Sequence, residues 1–123
     1  MTPKEYIANA MRTDKDDYGY GPTGGVTPRV EHAVMGVCTE AAELLDAVKK
    51  AKIYGKTLDR VNLVEEAGDC MWYLALLCTE LGVSFEQVWE KNIAKLQARY
   101  PEKFTREQAL VRDLAGERAI LEE

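Results

Sequence analysis

Two pairs of acids recur at a spacing of three: Glu40 and Glu43 in "CTEAAELLDAVKK" (38–50), and Glu66 and Asp69 in "NLVEEAGDCMWYLALLC" (62–78). A three-residue step on a helix returns to nearly the same face, so each pair presents two carboxylates side by side. On a helical wheel Glu40 sits at the margin of an apolar arc made by Val37, Ala41, Leu44, Leu45 and Val48. Glu66 sits at the margin of a second arc, Leu63, Cys70, Leu74, Leu77 and Leu81, and Glu43 and Asp69 lie one step further out. A carboxylate at the edge of a core is costly unless compensated, or takes up a proton. Four acids at matched margins therefore call for a cation between them. An all-oxygen donor set suits a hard divalent ion such as Mg²⁺, with Mn²⁺ as a substitute. Ala33, Gly36 and Ala47 neighbour Glu40 and are read as a trough of small residues beside it.

A third constellation follows. Asn92, Lys95 and Arg99 fall at i, i+3 and i+7 along one edge of a helix whose apolar face is Phe85, Trp89, Ile93, Leu96 and Tyr100. An arginine and a lysine suit phosphate oxygens that a metal also contacts, although the same two cations would also serve as ion-pair partners for the acids. Either acid pair alone would be commonplace on a solvated helix; the conjunction of three segments favours a phosphate-bearing ligand over that simpler reading. Trp72, Tyr73 and Tyr54 are candidate stacking surfaces for a base, with a core role as the simpler alternative. His32, the only histidine, is read as a packing or hydrogen-bonding residue, with the pocket edge as its other possible place.

The elements that must position these groups are helices. Thr2-Pro3-Lys4-Glu5 is a capping box that opens a helix over about 3–12. The Gly-, Asp- and Tyr-rich segment 14–27 is a long loop, the kind that in a small domain is functional or mobile. Thr27-Pro28 opens a second helix to about Ala51, stopped near Gly55, and three lysines at its end favour its dipole. A third starts near Asp59 or Asn62 and reaches Leu81 before Gly82; Ser84 and Gln87 cap a fourth that ends at Tyr100-Pro101. Thr105 and Gln108 cap a last helix to about Leu121 with a thin apolar stripe. No alternating strand pattern, repeat or low-complexity tract is present. The expected fold is all-α, an antiparallel helical bundle with short connections.

At 123 residues the chain is expected to form a single domain over 1–123, with its core about 28–104, an N-terminal helix and Gly-rich loop over 1–27, and a C-terminal helix over 105–123. A formal charge of −5, with no basic block beyond "KKAK" (49–52), argues against a general nucleic-acid partner. No long apolar segment or leader pattern occurs, so no membrane span and a cytoplasmic location are expected. Cys38, Cys70 and Cys78 show no C-x-x-C spacing and read as reduced core residues.

"EAAELLDAVKK", "NLVEEAGDCMWYLA" and "NIAKLQARYPEKF" resemble, in order and spacing, the MazG-like all-α nucleoside triphosphate pyrophosphohydrolases. The family mark, E-x-x-E, a spacer, then E-x-x-D, is carried by Glu40, Glu43, Glu66 and Asp69, with 22 residues, 44 to 65, between the pairs. The resemblance implies that these four acids hold Mg²⁺, and that a metal-linked water attacks a phosphorus to release pyrophosphate and a nucleoside monophosphate. It implies Glu40 or Glu43 as general base, phosphate or metal contacts from Asn92, Lys95 and Arg99, and Tyr100 packed near the ligand. Trp72 is added as a substrate contact from its aromatic face. Thr39, Ala41 and Ala67 depart from residues common in relatives and would reshape the pocket without removing a ligand. The apolar run from Cys70 to Cys78 exceeds what a lone bundle covers, which implies a homodimer or a tetramer of dimers. Two alternatives stand beside a (d)NTP substrate: phosphoribosyl-ATP pyrophosphohydrolase, with the same chemistry, and a non-catalytic metal-binding helical assembly module.

Overall fold

The computed structural model describes residues Met1–Glu123 as six α-helices without a strand. Helix α1 is Pro3–Met11, α2 Pro28–Lys52, α3 Arg60–Leu81, α4 Phe85–Arg99, α5 Arg106–Leu110 and α6 Leu114–Glu122. No helix is long and apolar enough to cross a membrane. The first four begin where the capping signals place them. Thr2 and Ser84 form full capping boxes with Glu5 and Gln87, and Thr27 accepts from the Val30 amide with Pro28 in the first turn. Each such cap stabilises its helix by about 1 kcal/mol. For α3 the cap is Asp59, whose side chain accepts from the Asn62 amide; Gly82 ends the helix at φ +67°, a left-handed conformation that only glycine adopts without cost.

The expected single C-terminal helix is broken. Val111 takes an extended conformation after α5, and Asp113 starts α6 by accepting from the Gly116 amide. A second cap inside the segment outcompetes continuation of the first helix.

The chain divides into two compact units, Met1–Val83 and Ser84–Glu123. In the first, α2 and α3 form an antiparallel pair: Thr27 hydrogen-bonds Glu80, Gly36 lies against Tyr73, and Glu40 approaches Glu66 and Asp69. Helix α1 packs on α3, where the Trp72 indole donates to the Ala10 carbonyl at 3.1 Å and the Thr13 hydroxyl at 2.8 Å.

The buried face of α2 differs from the wheel reading. Ala33, Gly36 and Ala47 are buried, whereas Ala41, Leu45 and Val48 are exposed. The small residues are not a trough but the line of closest approach to α3; a β-carbon on Gly36 would overlap the Tyr73 ring. In α3 the buried residues are Ala75, Leu76 and Cys78, while Leu74 and Leu81 stay exposed. Leu76, which lies outside the arc read from the wheel, is fully buried, which contributes about 1.5–3 kcal/mol. Of the cysteines only Cys78 is core; Cys70 is half-buried and Cys38 exposed, and all three are free.

In the second unit α4 packs with α6. Its centre is Glu117, 5% exposed, which takes Arg99 Nε at 2.7 Å and Nη2 at 2.8 Å and also pairs with Arg112.

Candidate functional site

The antiparallel register of α2 and α3 sets Glu40 opposite Glu66 and Asp69. One carboxylate oxygen from each lies within 4.8 Å of the others. None of the chain's ion pairs involves them: the lysines and arginines that pair do so with Asp14, Asp46, Glu117 and Glu122. The strain of this arrangement shows at Glu40. Burial, then close approach to the Glu66 carboxyl and the charge of Asp69, hold its carboxyl above the ordinary carboxylate range. Three converging acids, without a protein cation, are an oxygen donor set of the kind that fits a hard divalent ion.

Glu43, the fourth acid of the sequence pattern, is exposed and stands outside this group. Asn62, which the sequence suggests only as a cap, belongs beside the site: its side-chain amide donates to Glu66 Oε1 at 2.9 Å and fixes that carboxylate. The i, i+4 spacing of Asn62 and Glu66 was the available signal.

Beside the acids a cavity of about 380 Å³ is lined by Thr13, His32, Glu40, Asp69, Trp72 and Tyr73. Its aromatic wall is built edge to face, with ring centroids 5.0 Å apart for Trp72 and Tyr73 and 5.4 Å for His32 and Tyr73. Trp72 thus lines the cavity with its ring while its N–H anchors α1. Tyr73 lines it as well, and Tyr54 is exposed beyond the end of α2. Thr13 enters the wall through a tertiary contact that no local pattern announces.

The remaining sequence candidates lie in the second unit. Asn92 is exposed, Lys95 half-buried, and Tyr100 half-buried with its ring 5.4 Å from Phe104. Arg99, expected to reach phosphate, has two of its three nitrogens bonded to Glu117 and its guanidinium 5.7 Å from the Tyr100 ring centroid. Its guanidinium is made still harder to deprotonate, first by Glu117. Glu117 in turn is held down to about 2 by its bonds from Arg99 and Arg112.

Residues 30–104 match the MazG nucleotide pyrophosphohydrolase domain. The chain is also similar to the Gene 37 protein of Mycobacterium phage L5, 35% identical over 74 residues that cover 57% of this chain and 65% of that protein. No solved structure shows significant similarity. The domain match spans more than half of the sequence and contains all four acids of the pattern. An all-α chain with this match, and with carboxylates of α2 and α3 converging inside the matched segment, belongs to the MazG nucleotide pyrophosphohydrolase family.

Proposed function

We propose that the chain hydrolyses a (d)NTP to the (d)NMP and pyrophosphate, with Mg²⁺ held by Glu40, Glu66 and Asp69 and completed by Glu43. The observation that carries this reading is the convergence of three acids that no lysine or arginine neutralises, in a nucleotide pyrophosphohydrolase domain. When bound, a divalent ion supplies charge neutralisation at the phosphates and a lowered pKa for the attacking water.

The chain's own residues supply the rest. Asn62 holds Glu66 through Oε1 and leaves Oε2 as a donor to the ion. A carboxylate oxygen of Glu40 or Glu43 accepts the proton of the attacking water. The cavity walled by Trp72, Tyr73, His32 and Thr13 takes the nucleoside, with Trp72 as an aromatic face for the base. From the family pattern Asn92, Lys95 and Arg99 are assigned to phosphate and Tyr100 to packing near the ligand.

The exposed apolar residues Val34, Met35, Leu45 and Val48 of α2, with Val61, Val64, Met71, Leu74 and Leu81 of α3, give a second copy a face to cover. The assembly is proposed as a homodimer or a tetramer of dimers.

The test is release of pyrophosphate, with the matching monophosphate, from a panel of canonical and modified NTPs and dNTPs and from phosphoribosyl-ATP. The expected result is Mg²⁺-dependent release from at least one nucleoside triphosphate. Release confined to phosphoribosyl-ATP would replace the substrate assignment. No release from any of them, by folded protein with metal bound, would leave a non-catalytic metal module.

A further inference from the structure

The loop between α1 and α2 is tied down by a continuous polar chain. Asp14 Oδ2 accepts from Arg29 Nε at 2.7 Å, and Oδ1 accepts from the Lys15 amide and the Tyr18 hydroxyl, each at 2.8 Å. The Tyr18 oxygen also lies 2.8 Å from His32 Nδ1, and the Arg29 guanidinium stands 5.3 Å from the centre of the Tyr18 ring. His32 lines the cavity that Glu40 and Asp69 share.

The protons of this chain have one consistent arrangement. Burial raises the Asp14 carboxyl, but the bonds from Arg29, Tyr18 and the Lys15 amide outweigh it and hold it below the ordinary range, so it only accepts. The Tyr18 phenol is pushed up to about 12, by burial first and then by its bond to Asp14, so it keeps its proton. A phenol has a single proton, and Asp14 takes it. Toward His32 the Tyr18 oxygen can therefore only accept, and Nδ1 must carry a hydrogen. In the neutral ring Nε2 is then bare, and no protein group bonds it.

We infer that Tyr18 is a positioning residue that fixes His32 as the Nδ1–H tautomer, so that Nε2 accepts a hydrogen bond from an N–H of the nucleobase in the cavity. The inference rests on the reading of that cavity as the nucleoside pocket. On this reading the Gly-rich loop sets one acceptor in the wall of a site lined by α2, α3 and Thr13. Histidine in water favours the Nε2–H form, which would present a donor to the ligand instead, so the tyrosine reverses the polarity of that wall.

His32 is the only histidine, so one imidazole appears in a proton–nitrogen NMR correlation of labelled protein. Above the histidine titration range the full chain should show a protonated Nδ1 and a bare Nε2. Adding Mg²⁺ and a dNTP whose α–β bridging oxygen is replaced by methylene should shift Nε2 as it accepts a bond. Tyr18→Phe should move the ring toward Nε2–H and weaken the analogue by roughly tenfold, the worth of one hydrogen bond. A wild-type ring already in the Nε2–H form overturns the inference and needs no variant. So does an Nε2 signal unmoved by a bound analogue. An analogue that binds and shifts Nε2, while the matching dNTP is never cleaved, supports the inference and overturns the catalytic reading. An analogue that does not bind at all overturns both.

Discussion

The acid cluster of α2 and α3 and the Glu117 cluster of the second unit hold the same kinds of charge in opposite proportion. In the first, three carboxylates approach within 4.8 Å and no lysine or arginine pairs with them. In the second, one buried carboxylate receives two guanidinium groups. Their effects on acidity run in opposite directions: Glu40 is pushed above the ordinary carboxylate value and Glu117 is held down to about 2. A closed cluster stabilises a fold; an open one keeps its mutual repulsion, which the cation of our proposal would relieve. The contrast separates paired from unpaired charge more sharply than burial does, since Glu117 is the more buried of the two acids.

The contrast is broken most directly by neutralising one acid in each cluster. We predict that Glu66→Gln or Asp69→Asn lowers pyrophosphate release by at least about a hundredfold, because losing a ligand exceeds the usual cost of losing its outer partner. Neither should lower Tm in EDTA, since each relieves repulsion. Thermal melts beside activity assays check both; a variant that keeps activity would remove that acid from the site. Glu117→Gln should do the reverse in stability, lowering Tm by several degrees because two guanidinium groups lose their partner. An unchanged melt would deny the cluster its structural role.

A smaller effect is expected one bond away from the open cluster. Asn62→Ala frees the Glu66 carboxylate and should cost roughly tenfold in Mg²⁺ affinity, read from the Mg²⁺ dependence of turnover. An unaltered Mg²⁺ dependence would make that hydrogen bond incidental. The smallest expected effect is in the pH dependence of stability, measured in EDTA. Glu117 contributes stability that is present above its ordinary value of 4.5 and lost as pH falls toward about 2. Glu40, with its value raised, contributes stability present below 4.5 that is lost as pH rises through the raised value. Glu117→Gln should flatten the acid side of the Tm profile and Glu40→Gln the other. Parallel profiles for wild type and both variants would show that neither acid is perturbed by its neighbours.

Local signals carry most of the helix boundaries. Thr2, Thr27 and Ser84 begin their helices by bonds to residues three away, and such bonds are written in adjacent letters. The faces of α2 are harder to read. Large apolar residues mark its outer side, and the wheel follows size, whereas the approach of α3 is decided by how little Ala33, Gly36 and Ala47 protrude. The acid pattern points to Glu40, Glu66 and Asp69 together because helix periodicity and antiparallel pairing are both regular. The bond of Arg99 to Glu117 spans 18 residues, and the contact of Trp72 with Thr13 spans 59. No periodicity encodes either. The break between α5 and α6 is within reach of the sequence, since Asp113 offers a cap for Gly116, but the earlier cap at Thr105 masks it.

The most direct test of the open cluster as the catalytic metal site is Mg²⁺-dependent pyrophosphate release by wild type and Asp69→Asn, each shown by its melt to be folded. The expected result is release by wild type that EDTA abolishes and Mg²⁺ restores, with Asp69→Asn at least about a hundredfold slower at saturating Mg²⁺. Release that survives EDTA, or an Asp69→Asn enzyme as fast as wild type, would contradict it.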